Sequence, residues 1–287
     1  MFRLRRFSVG RTAAALIAPA LLAGCMSVNV PESAFFYPNA RVAAEKIELP
    51  TDRPMAFPTD RLNVAYAGGP VGVTRVRTGR ADAPLILYCG GNLFRRSSGA
   101  GTVASELAPF GDVVTFDYPG YGETAGQADY AAFVAVGTAV ADAVRDLALA
   151  EHRKVIVWGH SLGGPVCAQA ASLVRADAVV LETTTPSTRA AVDAMVGWVR
   201  PLVKVNIAPN LAAIDVPAAL KDYRGRVLVL EAGRDDTLPP ALSRVLARDL
   251  QRQGVDVRRL VFPQAGHGDV GRQPDFQPRI AEALTGL

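Results

Sequence analysis

The run Gly159-His160-Ser161-Leu162-Gly163 sets a serine between two glycines, directly after the apolar stretch VIVW (155–158) and before the small residues of 166–171. In a strand-turn-helix setting such glycines allow a turn tight enough to project the serine hydroxyl above a sheet. A serine hydroxyl is a weak nucleophile until a base takes its proton, so this chemistry requires a histidine from elsewhere in the chain. There are three. His160 lies inside the turn, and His152 precedes the strand at its far end from Ser161. His267, in a loop after RLVF (259–262), is the one placed at a strand's carboxyl end. The imidazole in turn needs an acid to orient it. Asp235 and Asp236 follow VLVL (227–230), and only one of them can face His267. Asp235 is favoured because it lies five residues past Leu230 and four before Pro239; counting from Gly233 favours Asp236 instead. Glu182, at the end of a preceding apolar stretch, is a third carboxylate and reads as structural.

Negative charge developing on an attacked carbonyl calls for donors fixed in advance. The main-chain N–H of Leu162 is one by position. The second is expected from Gly90-Gly91-Asn92-Leu93, after LILYC (85–89), because glycines let the backbone come close to a substrate. Asn92 is the first choice for this donor and Leu93 the next.

Short apolar runs recur through the chain and must position these groups: VGVTRV (71–76), LILYC (85–89), VVTF (113–116), VIVW (155–158), AVVL (178–181), VLVL (227–230) and RLVF (259–262). Nearly continuous apolar strands indicate a sheet covered on both faces. Helical patterns separate them. One carries Phe133, Val136, Val140, Val144 and Leu147 on a single face, and another opens at Pro240 and runs through Leu242, Val245, Leu246 and Leu250. This alternation predicts a doubly wound, mostly parallel α/β sheet whose chemistry gathers at the strands' carboxyl ends. The segment 183–225 is long enough to cover the site. Within it, Val192, Met195, Val196, Val199, Leu202 and Val203 form an apolar helical face around Trp198, read equally as core packing or as an acyl-binding wall.

The elbow in its strand-turn-helix context, the order serine, acid, histidine, and Phe116-Asp117-Tyr118-Pro119-Gly120-Tyr121-Gly122 together resemble the α/β-hydrolases of the serine-esterase type. The last of these is similar to the D-x-x-G-x-G turn common in that family, and the resemblance spans roughly residues 70–285. It implies the α/β-hydrolase fold and cleavage of carboxylic esters through an acyl-enzyme on Ser161, with His267 as base and Asp235 orienting it. One departure is visible: many relatives have His-Gly-Asn in the oxyanion loop, where this chain has Gly90-Gly91-Asn92.

The N-terminus reads as an address. Residues 2–11 are arginine-rich, 12–23 are apolar, and Leu22-Ala23-Gly24-Cys25 closes the segment. The apolar run is too short to span a bilayer. Small residues before a cysteine resemble the bacterial lipobox, which implies a signal peptide over 1–24, lipidation of Cys25 and an anchor in the cell envelope, with Met26 leaning toward the outer membrane facing the periplasm. Residues 25–60, with five prolines, read as a tether and wrapping arm before a hydrolase domain over 61–287. With Cys25 lipidated, Cys89 and Cys167 remain as the other cysteines, and both are expected as buried, separate thiols.

The composition of the 287-residue chain, 49% apolar and 20% charged, suits a substantial core and excludes disorder. The net charge of +4 comes wholly from Arg3, Arg5, Arg6 and Arg11; the remainder is balanced, so no nucleic-acid partner is expected. Scattered histidines and cysteines offer no metal cluster, and Gly90-Gly91-Asn92 lacks dinucleotide-site spacing, so neither metal nor cofactor is expected. The expected partner is a small ester or acyl substrate, together with a membrane through Cys25. The competing readings are a serine peptidase or acyltransferase with the same triad, and a binding protein of hydrolase fold whose triad is idle.

Overall fold

A computed structural model describes residues 26–287 apart from 198–199 and 201–202. The N-terminal part holds β1 (Met26–Val30), α1 (Asn39–Glu45) and the short strands β2 (Thr59–Arg61), β3 (Val64–Tyr66), β4 (Gly69–Val71) and β5 (Val73–Val76). Alternation follows with β6 (Leu85–Cys89), α2 (Ala100–Leu107), β7 (Asp112–Phe116), α3 (Tyr130–Glu151), β8 (Val155–His160), α4 (Gly163–Leu173) and β9 (Ala178–Glu182). The covering segment contains α5 (Thr188–Val196), β10 (Val203–Ile207), α6 (Pro209–Ala212) and α7 (Val216–Ala219). The chain closes with β11 (Arg226–Ala232), α8 (Pro240–Arg252), β12 (Asp256–Phe262) and α9 (Phe276–Ala283).

Eight strands form the central sheet in the order β12-β11-β9-β8-β6-β7-β5-β2. Strands β6 to β12 of this sheet run parallel, while β5 and β2 are added antiparallel at one edge. This is the fold of an α/β-hydrolase domain, with helices on both faces as the uninterrupted apolar runs require. Side-chain alternation divides each strand between two cores. Leu85, Leu87, Cys89, Val155 and Val157 pack toward α3 and α4, and Ile86, Tyr88, Ile156 and Trp158 toward α2 and α9. Helix α3 begins on an Asp129 side chain that accepts from the Ala132 amide, and it ends at His152 in the left-handed region. Its predicted apolar face is largely as read, with Phe133, Val136, Val140 and Val144 fully buried.

Two expectations are corrected. Cys89 and Cys167 are not separate thiols but are joined in a disulfide across 78 residues of sequence. The end of β6 and the second turn of α4 meet in one core, a proximity that neither local sequence announces. The covering segment is not one helix through Val203: α5 stops at Val196, Gly197 takes a positive φ of 60°, and Val203 opens a strand. Trp198, Val199 and Leu202 lie outside the described residues, as do Cys25 and the signal-like segment. Residues 26–30 form β1, paired in parallel with β10 of the cover, Met26 opposite Val203.

Candidate active site

Strand β8 delivers its chain directly into the turn at Ser161. The register puts His160 beside Glu182 of β9, and the Ser161 amide donates to the Glu182 carbonyl at 2.9 Å. Ser161 itself adopts φ of 52°, the left-handed region in which a side chain is lifted out of the run of the strand. Gly163 follows because a Cβ there would overlap the Cys89 carbonyl; only a glycine lets α4 lie this close to the end of β6.

His267 comes from the loop after β12 and stands with Nε2 2.8 Å from Ser161 Oγ. Its Nδ1 stands 2.8 Å from Asp235 Oδ2, the carboxylate being buried. The other oxygen of Asp235 accepts from the amides of Thr237 and Leu238 at 2.9 and 2.8 Å, which fixes the carboxylate's orientation. Of the two adjacent aspartates, therefore, Asp235 is brought to His267, while Asp236 is exposed. The His267 carbonyl accepts from Thr183 Oγ1 at 3.1 Å and lies 3.0 Å from His160 Nε2. Since a carbonyl only accepts, His160 donates through Nε2. Burial pushes the His160 imidazole below its ordinary range, so it stays neutral beside His267. The Glu182 side chain meets the Trp158 indole, from which its Oε2 accepts at 2.7 Å.

Leu162 follows the serine immediately, at the N-cap of α4. The facing loop passes close by, and a Cβ built on Gly91 would lie 2.7 Å from His160 Nδ1 and 3.5 Å from Ser161 Cβ. The next residue, Asn92, does not turn its carboxamide toward the serine. Its Oδ1 accepts from the Tyr37 amide at 3.1 Å and from the Tyr121 hydroxyl at 2.8 Å, and its Nδ2 donates to the Phe35 carbonyl. Any donation by Asn92 toward a substrate is thus left to its main-chain N–H.

Ser161, Leu162, Asn92 and His267 open on a cavity of about 620 Å³. Tyr88, Val103, Leu107, Trp158 and Phe276 supply much of its apolar wall, and the cover contributes Thr188, Ala191, Met195, Leu211 and Ile214. The cover is therefore both core packing, through Val192, and cavity wall. Three contributors carried no signal in the sequence. Phe35 and Tyr37 of the arm reach the cavity from 50 and more residues away, and Glu106 of α2 faces it with a carboxyl pushed up to about 7, by burial first and then by the charge of Glu182.

Residues 90–213 match the family model described as the alpha/beta hydrolase family. No curated protein sequence matches the chain. Among solved structures, it is similar to the Pyrococcus furiosus esterase Pf2001, with a TM-score of 0.63 at 16% identity over 83% of this chain and 97% of that one. A Pyrobaculum calidifontis esterase gives a TM-score of 0.57 at 19% identity over 80% of this chain and 83% of that one. An ester hydrolase from the metagenome of Lake Arreo, bound to a bipyridine phosphonate derivative, gives 0.61 at 20% identity over 86% and 89%. These likenesses establish the shared fold.

Proposed function

We propose that the protein is a serine hydrolase that cleaves carboxylic esters through an acyl-enzyme on Ser161. The observation that carries this reading is the unbroken chain Ser161 Oγ to His267 Nε2 to His267 Nδ1 to Asp235, with both spans 2.8 Å, opening on the apolar cavity. With Asp235 holding the proton on Nδ1, Nε2 presents a lone pair to the serine hydroxyl. As Ser161 Oγ bonds to the ester carbon, its proton passes to Nε2, and the carbonyl electrons move to an oxyanion met by the N–H groups of Leu162 and Asn92. Collapse breaks the carbon–oxygen bond to the alcohol, which leaves with the proton from Nε2. Water then repeats the sequence on the acyl-enzyme, releasing the acid and restoring Ser161. The esterase neighbours support an ester as the substrate, as does a predominantly apolar cavity suited to an acyl chain.

The site of action belongs to the same proposal. An arginine-rich, then apolar segment ending in Leu22-Ala23-Gly24-Cys25 supports export and lipidation at Cys25 in a bacterial cell envelope, facing the periplasm. The Cys89–Cys167 disulfide supports export independently, since such bonds persist in oxidising compartments. Loss of the lipid mass increment in Cys25→Ala tests the anchor. The chemistry is tested by treating the protein with a fluorophosphonate and measuring intact mass. One adduct on the wild type, absent from Ser161→Ala and His267→Ala, is the expected result; a folded wild type that takes no adduct would point to a binding protein with an idle triad.

A further inference from the structure

The arm between β1 and β2 is fastened to the site at several points. Glu32 accepts from the Tyr130 amide at 2.9 Å, and Phe36 is buried against Phe133 with ring centroids 4.7 Å apart. Asn39 is bonded through its amide to the Gly120 carbonyl at 2.8 Å and through its side chain to the Gly122 carbonyl and amide at 2.9 and 3.1 Å. Between these fixed points, the Phe35 carbonyl and the Tyr37 amide meet the carboxamide of Asn92 as the edge of a neighbouring strand would. Arg95, on the same loop as Asn92, donates to the Tyr37 carbonyl and lies over the Tyr121 ring at 4.4 Å.

The loop needs such a fastening. Gly90 and Gly91 carry no side chain to hold it, and at Gly91 the His160 ring occupies the space that a side chain would take. The first residue after these glycines able to anchor the loop is Asn92. We infer that the arm completes the active site: Asn92 is a positioning residue whose carboxamide, clamped by Phe35, Tyr37 and Tyr121, holds its own N–H toward the oxyanion, and Tyr37 is a specificity-determining residue of the cavity wall. The inference rests on the hydrolase reading of Ser161. The clamp is specific to a carboxamide, because it must accept from Tyr37 and donate to Phe35 at once. A carboxylate loses the donor and alanine loses both. The Tyr37 side chain, by contrast, can be removed without losing the amide that the clamp uses.

The test compares kcat and KM of the full chain for p-nitrophenyl esters from acetate to octanoate. Asn92→Ala and Asn92→Asp are expected to lower kcat about tenfold or more while KM stays within about threefold, as for a misaligned oxyanion donor. Tyr37→Ala is expected to act mainly on KM, raising it for the longer esters and so changing the chain-length preference. Tyr121→Phe, which removes one of the three partners, should fall between wild type and Asn92→Ala in kcat. A folded Asn92→Ala with wild-type kcat, or with its loss confined to KM, overturns the inference. Should the Asn92 variants fail to fold, Tyr121→Phe decides, and an unchanged kcat there overturns it equally. Fluorophosphonate labelling separates the two levels: an active, labelled wild type with unaffected variants removes this inference alone, whereas an unlabelled, inactive wild type removes the hydrolase reading beneath it.

Discussion

The Ser161 amide is tied to the Glu182 carbonyl at 2.9 Å, and the Ser161 carbonyl accepts from Thr184 Oγ1 at 2.7 Å and from the Gly164 amide at 3.0 Å. A residue at φ of 52° is held there by bonds on both sides of its peptide plane, from the strand on one side and the start of α4 on the other. The elbow is a rigid junction between β8, β9 and α4 rather than a loop.

Gly163→Ala should therefore be disabling although it touches no reacting atom. Its Cβ would overlap the Cys89 carbonyl, which is backbone and cannot rotate away, so α4 must back off and carry Ser161 with it. Activity on a short p-nitrophenyl ester is expected to fall about a hundredfold or more, alongside a lower Tm, since a shift of about 1 Å suffices for such a loss. Wild-type turnover in this variant would show that the close approach is dispensable.

Asp235→Asn and Asp236→Asn should separate cleanly. In Asp235→Asn, the carboxamide would retain an oxygen for the Thr237 and Leu238 amides but offer His267 no carboxylate, leaving Nδ1–H without its acceptor and the imidazolium unsupported. The expected fall in kcat is about 10³- to 10⁴-fold. Asp236 is exposed and does not meet His267, so its variant should keep kcat within about twofold. Comparable losses in both, measured at saturating ester, would contradict the arrangement.

What could be read beforehand follows from where each signal resides. The elbow, the strands and α3 are encoded in neighbouring residues: VIVW running into Gly159, or Phe133 to Val144 at helical spacing, state their structure within a single window. In the sequence Asp235 is one of a pair, because the strand end fixes the loop but not which of two adjacent side chains turns inward; the Thr237 and Leu238 amides make that choice. The disulfide, the pairing of β1 with β10 and the Asn92 clamp join segments 78, 177 and 57 residues apart, and no periodicity records such meetings. Gly197 shows the same limit within one segment. An apolar face at helical spacing continues past it in sequence, but its positive φ ends the helix.

Cys89 and Cys167 close a loop of 78 residues that contains β7 and α3, so the disulfide restricts a large part of the unfolded chain. Cys89→Ala with Cys167→Ala should lose about 2–4 kcal/mol of stability, read as a lower midpoint in urea. Because both positions lie beneath the turn at Ser161 and the loop carrying Gly90 and Gly91, turnover of an ester should fall as well. A reductant should reproduce the shift in wild type and leave the double variant unmoved; equal midpoints with and without reductant would mean that the bond is not formed.

Glu106 gives the molecule a pH dependence of definite sign. Burial, reinforced by Glu182, lifts its carboxyl from 4.5 to about 7, while Arg272 at 3.8 Å only partly offsets this. Between those values the folded protein keeps a proton that the unfolded chain has released. The corresponding stability is fully present below about 4.5 and is lost as pH rises through 7. Glu106→Gln is neutral at every pH and escapes that loss. Its Tm should match wild type near about pH 5 and exceed it by several degrees near about pH 8.5. The same carboxylate faces the cavity, so wild type should also bind an apolar acyl chain less well as Glu106 ionises, with KM rising above about pH 7 in wild type and staying flat in Glu106→Gln. Parallel Tm and KM profiles for the two proteins would show that Glu106 carries its charge in an ordinary, hydrated setting.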